Sequence, residues 1–281
     1  MADADPPMAA VRDVVARALA EDLGPLGDIT AMLVPVGARA HGGLVAREAG
    51  VLAGQRCVDE VFRQVDPRIE IRWHAADGDA VAPAGVLATV VGPLRPVLTA
   101  ERPALNLVGH LSGVATVTRR YVDAVAGTPC RVLDTRKTTP GLRALEKAAV
   151  RAGGGHNHRG TLSDMVLVKD NHLAGLTITE AVAAARRRWP MRAVEVECDR
   201  LAQVHEAIEA GADVVMLDNM SPGQVAEAVA VVGRVALVEV SGGVTLATVA
   251  AYAAAGADLI SVGALTASAP TLDVGLDLAC S

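Results

Sequence analysis

The hydrophobic and polar positions of the chain change rhythm twice. Residues 8–23 (MAAVRDVVARALAEDL) set apolar side chains at helical spacing, and Gly24 with Pro25 ends the run. Short alternating stretches follow, HGGLVAREAGVLAG and IEIRWHAADGDAVAPAGVLATVVGPL, broken by Gly, Pro and Asp; they predict strands and turns. Residues 99–126 read as a helix that connects two domains, with Thr99 as N-cap and Glu101 in the first turn. From 131 onward, short apolar runs end in a polar or glycine residue and lead into helical segments: VLDTRK, MVLVKDN, AVEVEC, VVMLDN, ALVEVSGG and LISVGAL.

This last pattern is the rhythm of βα units, and the ends Glu197, Asp218, Ser241 and Gly263 recur at near-equal intervals. Two units share wording, EAGADVVMLDN and AAGADLISVGA, which makes Gly211 and Gly256 helix C-caps leading into the next strand. Strands joined by short loops and helices are parallel and need right-handed crossovers. Six of them predict a closed or nearly closed α/β barrel with fewer strands than the usual eight. The stretch 77–92 looks like a lipoyl or biotinyl hammerhead. No Lys precedes Lys137, so nothing there could carry the prosthetic group, and a structural strand set is expected.

Composition narrows the function. At 281 residues one large or two modest domains are open, and 51% hydrophobic residues supply an ample core. The formal net charge of −6 and the five aromatics argue against a nucleic-acid or anionic-membrane binder. Cys57, Cys130, Cys198 and Cys280 are scattered without metal spacing, as reduced thiols would be. The acidic, Pro-interrupted start MADADPPMAA is unlike a secretory signal, and no run reaches the roughly 18 apolar residues of a membrane span. A cytoplasmic location is expected.

The basic residues are more informative. Of 26, only Lys137, Lys147 and Lys169 are lysines. Arg replaces Lys harmlessly on a solvated face but poorly where a compact ammonium meets a confined anion, so Lys137 and Lys169 read as functional. Barrel enzymes carry their chemistry at the C-terminal strand ends. That rule gathers Asp134, Arg136, Lys137, Lys169, Asp170, Glu195, Glu197, Asp218, Ser241 and Gly263 at one mouth. Glu195 and Glu197 share a strand face, and two carboxylates there need cations, a metal or water. The run RAGGGHNHR (151–159) reads as a loop able to close on an anion, although incidental charge on a flexible loop would look the same. His156 and His158 lack a third ligand for zinc. SGG (241–243) and VGA (262–264) end the last two strands, where barrel enzymes often hold phosphate on backbone N–H groups.

The runs ALAEDLGPLGDIT, AERPALNLVGHLSGVAT, LDTRKTTPGLRALEKAAVRAGGGHNHRGTLSDMVLVKDNH, VEVE, LDN, SGG and ISVGALT together resemble the quinolinate phosphoribosyltransferase family, over about residues 15–278. The resemblance implies an N-terminal α/β sandwich domain (1–112) and a C-terminal open α/β barrel of six to seven parallel strands (113–281), the last residues returning to the first domain. It implies transfer of phosphoribosyl from 5-phosphoribosyl 1-diphosphate to quinolinate with decarboxylation, in NAD biosynthesis, with Mg²⁺ required. Arg102, Thr135, Arg136, Lys137, His158, Arg159 and Lys169 would then surround the dicarboxylate. Glu197 and Asp218 would serve the ribose hydroxyls and the Mg²⁺–diphosphate, directly or through water, and with Lys137 form the catalytic set. Ser241, Gly242, Gly243, Gly263 and Ala264 would hold the 5-phosphate. A homodimer is implied, with Arg102 reaching the neighbouring site. Where the family usually has T-A-L-N after that Arg, this chain has Pro103, which the first turn of a helix tolerates.

Two other readings share parts of this pattern. A paralogous phosphoribosyltransferase linked to molybdate transport would keep the phosphoribosyl half and change the carboxylate wall. A non-catalytic phosphosugar sensor would be expected to lose Glu197 or Asp218, and both are here.

Overall fold

The computed structural model describes residues 5–280; the first four residues of the acidic N-terminal stretch and the side chain of Cys280 lie outside that description. In chain order the first elements are α1 (Met8–Leu23), β1 (Arg39–Ala46), β2 (Gly50–Val51), α2 (Gln55–Val65), β3 (Glu70–Trp73), β4 (Ala80–Val81), β5 (Val86–Pro93) and α3 (Leu94–Ala124). Then come β6 (Arg131–Leu133), α4 (Arg143–Ala152), β7 (Val166–Val168), α5 (Ile178–Arg188), β8 (Val194–Cys198), α6 (Leu201–Glu209) and β9 (Val214–Asp218). The chain closes with α7 (Pro222–Val232), β10 (Leu237–Ser241), α8 (Val249–Ala254), β11 (Leu259–Ser261), α9 (Ala264–Ala267) and β12 (Val274–Cys280).

By packing there are two compact units. The first holds the residues up to Arg119, Thr138–Gly154 and those from Leu265 onward; the second holds Arg120–Lys137 and Gly155–Ala264. Sequence leads to an expected boundary at 112/113 with the last residues returning to the first domain; by packing, the division falls within α3, and Thr138–Gly154 as well as the residues from Leu265 belong to the first unit.

In the first unit an antiparallel sheet runs in the order β12-β1-β5-β3, so the C-terminal strand lies beside β1. Val11, Val14 and Val15 of α1 and Val58, Val61 and Phe62 of α2 are buried in its core. The connecting helix departs from expectation. α3 begins at Leu94, so Thr99 lies inside it and is no N-cap; its hydroxyl donates to the Arg95 carbonyl one turn back and to Asp28 Oδ2. Pro103 is therefore interior too, buried rather than in the first turn. The 31-residue helix keeps running because ring and neighbours are packed, although one i→i−4 bond is missing.

The second unit is one parallel sheet in the order β6-β11-β10-β9-β8-β7. β6 and β7, consecutive in sequence, stand at opposite edges, so the barrel is open. Segment 155–159 lies against the β6 edge: the His156 backbone exchanges bonds with Val132 and Asp134. Local sequence sets the crossovers. Thr177 with Glu180, and Ser221 with Gln224 and Pro222 at N1, make reciprocal caps that start α5 and α7. Gly211 and Gly256 follow α6 and α8 at φ +83° and +97°, as their C-cap reading requires. One face of the strands presents Val196, Val215, Leu217, Val240 and Ile260, all fully buried. The alternate positions carry Glu195, Glu197, Asp218, Glu239, Ser241 and Ser261, together with apolar residues such as Val214 and Met216.

Candidate active site at the strand ends of the second unit

Period-two alternation sorts the polar residues into two levels. The upper level sits where strands end: Thr135–Lys137 after β6, Lys169 after β7, Glu197 in β8, Asp218 in β9, Ser241 in β10 and Gly263 after β11. One pleat lower, Glu195 precedes Glu197 and Glu239 precedes Ser241 by two residues each, on the same faces.

At the upper level Lys169 Nζ is ion-paired to Glu197 Oε2, while the Lys169 backbone N–H donates to His172 Nδ1 at 2.9 Å. The Arg159 guanidinium is held below its ordinary ionisation range, first by desolvation and then by the charge of Arg136; Glu195 and Asp164 oppose the shift. Arg136 lies shortly after β6, and Arg159 lies on the segment bridged to that strand. Lys137 lies across Gly263, where a Cβ would come within 2.8 Å of its Cδ. Thr135 Oγ1 accepts the Lys137 backbone N–H at 3.0 Å. Asp218 pairs in register with Ser241 and accepts from Asn219 Nδ2 at 2.7 Å. Gly242 and Gly243 take φ +86° and +61°, and a Cβ on Gly242 would collide with Asn219 Oδ1. Only glycine meets both demands at 242.

The lower level is closed. Glu195 and Glu239 are 0% and 1% exposed. His158 Nε2 lies 3.0 Å from Glu195 Oε2 and 3.5 Å from Glu239 Oε2, and Ser261 Oγ donates to Glu239 Oε1. Burial first, and the Glu195 charge second, push the Glu239 carboxyl well above the ordinary carboxylate range, with His158 and Ser261 opposing. Glu195 Oε1 is buried and meets no hydrogen-bond partner among the described residues.

Residues 28–112 match the family model described as the quinolinate phosphoribosyl transferase N-terminal domain, and residues 114–277 match that of its C-terminal domain. The chain belongs to the quinolinate phosphoribosyltransferase family. It is 45% identical to the nicotinate-nucleotide pyrophosphorylase of Mycobacterium leprae over 278 residues, covering 96% of this chain and 97% of that one. It is 44% identical to a probable nicotinate-nucleotide pyrophosphorylase of Synechocystis, covering 97% and 94%. The solved nicotinate-nucleotide pyrophosphorylase of Francisella tularensis superposes with a TM-score of 0.95 at 39% identity, covering 98% of each chain.

Within this quinolinate phosphoribosyltransferase fold, the second unit brings together Thr135, Arg136, Lys137, His158, Arg159, Lys169, Glu197, Asp218, Ser241–Gly243, Gly263 and Ala264. Arg102 is exposed on α3 in the first unit. Three expectations change. Of the two same-face carboxylates, Glu197 is the one paired to a lysine at the strand end, and Glu195 is wholly interior. Asp134 is buried beneath the mouth, where its oxygens accept from the His158 backbone N–H at 2.9 Å and Asn157 Nδ2 at 2.5 Å. The run 151–159 is no free flap: Arg151 belongs to α4, Gly153 packs where a Cβ would strike Ala115 and Thr118, and His156 is bridged to β6. Glu239 and Asn219 were missed, although both had a signal. Glu239 stands to Ser241 as Glu195 stands to Glu197, and Asn219 closes the LDN run. The Cys57, Cys130 and Cys198 thiols are pushed up to about 12 by burial and play no part as nucleophiles.

Proposed function

We propose that this quinolinate phosphoribosyltransferase family member transfers the phosphoribosyl group of 5-phosphoribosyl 1-diphosphate to the ring nitrogen of quinolinate. Loss of carbon dioxide then yields nicotinate mononucleotide, with diphosphate as the other product, in NAD biosynthesis. The observation that carries the reading is the placement of Arg136 shortly after β6 and of Arg159 on the segment bridged to that same strand. A dicarboxylate between them removes the like-charge penalty and offers two forks for bidentate bonds. Lys137 and Lys169 complete the cation wall as point charges, and the Thr135 hydroxyl is on hand beside them.

The Glu197 and Asp218 carboxylates stand on the neighbouring strands β8 and β9, Glu197 beside Lys169. Departure of diphosphate leaves positive charge at the anomeric carbon, which a fixed carboxylate stabilises electrostatically. The same pair fits Mg²⁺, a hard cation that takes one or two carboxylates plus phosphate oxygens. When bound, directly or through water, that ion would neutralise the leaving diphosphate. The 5-phosphate is assigned to the backbone of Ser241–Gly243 and Gly263–Ala264, where Gly242 and Gly243 hold conformations open to close approach. Decarboxylation places electron density on the ring, and Lys137, lying across Gly263, is the cation that offsets it.

The working form is read as a cytoplasmic homodimer with Arg102 completing the neighbour's wall. Arg102 is exposed, and Leu26, Ile29, Met32, Leu33 and Val36 of the first unit form an apolar segment with Leu33 and Val36 at 85% and 81% exposure. Among the described residues no helix is long and apolar enough to cross a membrane.

The test is turnover of purified protein with quinolinate, phosphoribosyl diphosphate and Mg²⁺, against nicotinate as rival acceptor. Nicotinate mononucleotide with released carbon dioxide, from quinolinate alone, is the expected result. No turnover with either acceptor, while phosphoribosyl diphosphate still binds, would sink the acceptor assignment.

A further inference from the structure

Asp218 and Asn219 are neighbours in the chain, yet their side chains meet: Asn219 Nδ2 donates to Asp218 Oδ2 at 2.7 Å. Adjacent residues of a strand point to opposite faces, so this contact needs a break in the strand. Asn219 supplies it at φ +57°, a left-handed conformation that few residues other than glycine adopt. Its backbone N–H meanwhile donates to the Ser241 carbonyl at 3.0 Å, one step beyond the Asp218–Ser241 register. A third hold is steric. The Asn219 amide lies so close to the Gly242 backbone that a Cβ there would collide with it, and Gly242 takes φ +86°. The Asn219 side chain is exposed, so core packing gives no reason for a left-handed residue at this point. Conformation favours Gly, Asn or Asp at 219, and of these only Asn brings a donor to the Asp218 carboxylate.

We propose that Asn219 is a positioning residue: it fixes the Asp218 carboxylate against the Ser241–Gly243 turn, so that the ribose hydroxyls and the 5-phosphate of one ligand meet a single rigid unit. With Oδ2 engaged by the amide, the carboxylate keeps one orientation and offers Oδ1 to the sugar. Ribose hydroxyls and phosphate have a covalently set spacing, so carboxylate and turn act together only where their own spacing is fixed. Two hydrogen bonds and one close backbone approach fix it here, at the ends of the neighbouring strands β9 and β10. The inference rests on the assignment of Asp218 to the ribose and of the glycine turn to the 5-phosphate.

The test titrates the whole protein, without metal, with ribose 5-phosphate and separately with inorganic phosphate. Asn219→Gly accepts the same backbone conformation and lacks only the amide; Asn219→Asp keeps the shape and replaces the donor by an acceptor. Ribose 5-phosphate affinity is expected to fall about fivefold in Asn219→Gly and further in Asn219→Asp, with inorganic phosphate within about twofold of the parent in Asn219→Gly. The phosphoribosyl diphosphate KM should rise in Asn219→Gly. Its denaturant midpoint should hold, as should its binding of benzene-1,2-dicarboxylate, an unreactive probe of the acceptor wall. In an Asp218→Ala background, adding Asn219→Gly should cost nothing more, because the amide acts through the carboxylate. Parental ribose 5-phosphate affinity in Asn219→Gly would overturn the inference. A fivefold loss that persists on top of Asp218→Ala would overturn it too, by making Asn219 a direct ligand. Equal weakening of both probes, or a lowered denaturant midpoint in both variants, would overturn it by making Asn219 a scaffold of the turn alone. A parent protein that binds neither probe, or both equally, would overturn the underlying ribose and phosphate assignment, a result distinct from the others.

Discussion

Lys169 and Glu197 are ion-paired across the mouths of the neighbouring parallel strands β7 and β8. One side chain belongs to the proposed acceptor wall and the other to the proposed phosphoribosyl side, so each half-site masks part of the other. Removing the carboxylate unmasks the lysine. Glu197→Gln is expected to tighten benzene-1,2-dicarboxylate binding by about two- to fivefold, the worth of a partly exposed ion pair, while turnover is lost. Calorimetric titration beside an activity assay reads both. Weaker dicarboxylate binding in this variant would show that Lys169 is not a free competitor for the two anions.

Arg159 and Arg136 set an opposite balance. Replacing Arg159 by Gln removes one of two like charges, so the unfolding free energy of the ligand-free protein should not fall. Dicarboxylate binding should drop by about 10- to 100-fold, the cost of losing hydrogen bonds from a charged donor. Denaturant midpoints and probe titration measure the two directions separately. A parallel loss of stability and binding would mean Arg159 is a structural residue.

Two glycines give contrasting outcomes. Gly242→Ala puts a Cβ at φ +86° and against Asn219, which should cost about 1–3 kcal/mol of stability. Gly263→Ala meets only the flexible Lys137 chain, so stability should hold while turnover falls with the displaced ammonium. Lys137→Met is expected to share that signature, sparing quinolinate binding more than kcat. Thermal unfolding and steady-state kinetics of the three variants decide it.

Glu239 predicts a pH slope. Its carboxyl is pushed up by burial and by Glu195, so the folded state holds a proton that the unfolded state has already released. Stability contributed by this group is then lost as pH rises, from about pH 5 to about pH 8. Glu239→Gln stays neutral throughout. Its stability relative to the parent should therefore improve across that window, as measured by denaturant unfolding at several pH values. A gap independent of pH would show that the buried pair does not titrate there.

Much of this was legible in the chain because it is local. Apolar runs ending in polar residues located β6 to β11, the caps at Thr177 and Ser221 began two helices, and the LDTRK, HNHR and VKDNH runs carried the family. Period-two spacing even placed Glu195 and Glu197 on one face. What spacing cannot say is how deep a face lies. Depth comes from which strands become neighbours, and the order that sets β10 between β11 and β9 is a long-range outcome. Only there does Glu239 approach His158, bury Glu195 and leave Glu197 to Lys169. The helix start at Leu94 was decided the same way, by packing that overrode a local cap at Thr99. The sequence by itself determined the kinds of residue at each strand end. The tertiary structure decided which of them meet water, which meet a substrate, and which hold one another, because burial and charge pairing depend on neighbours that the chain brings together only by folding.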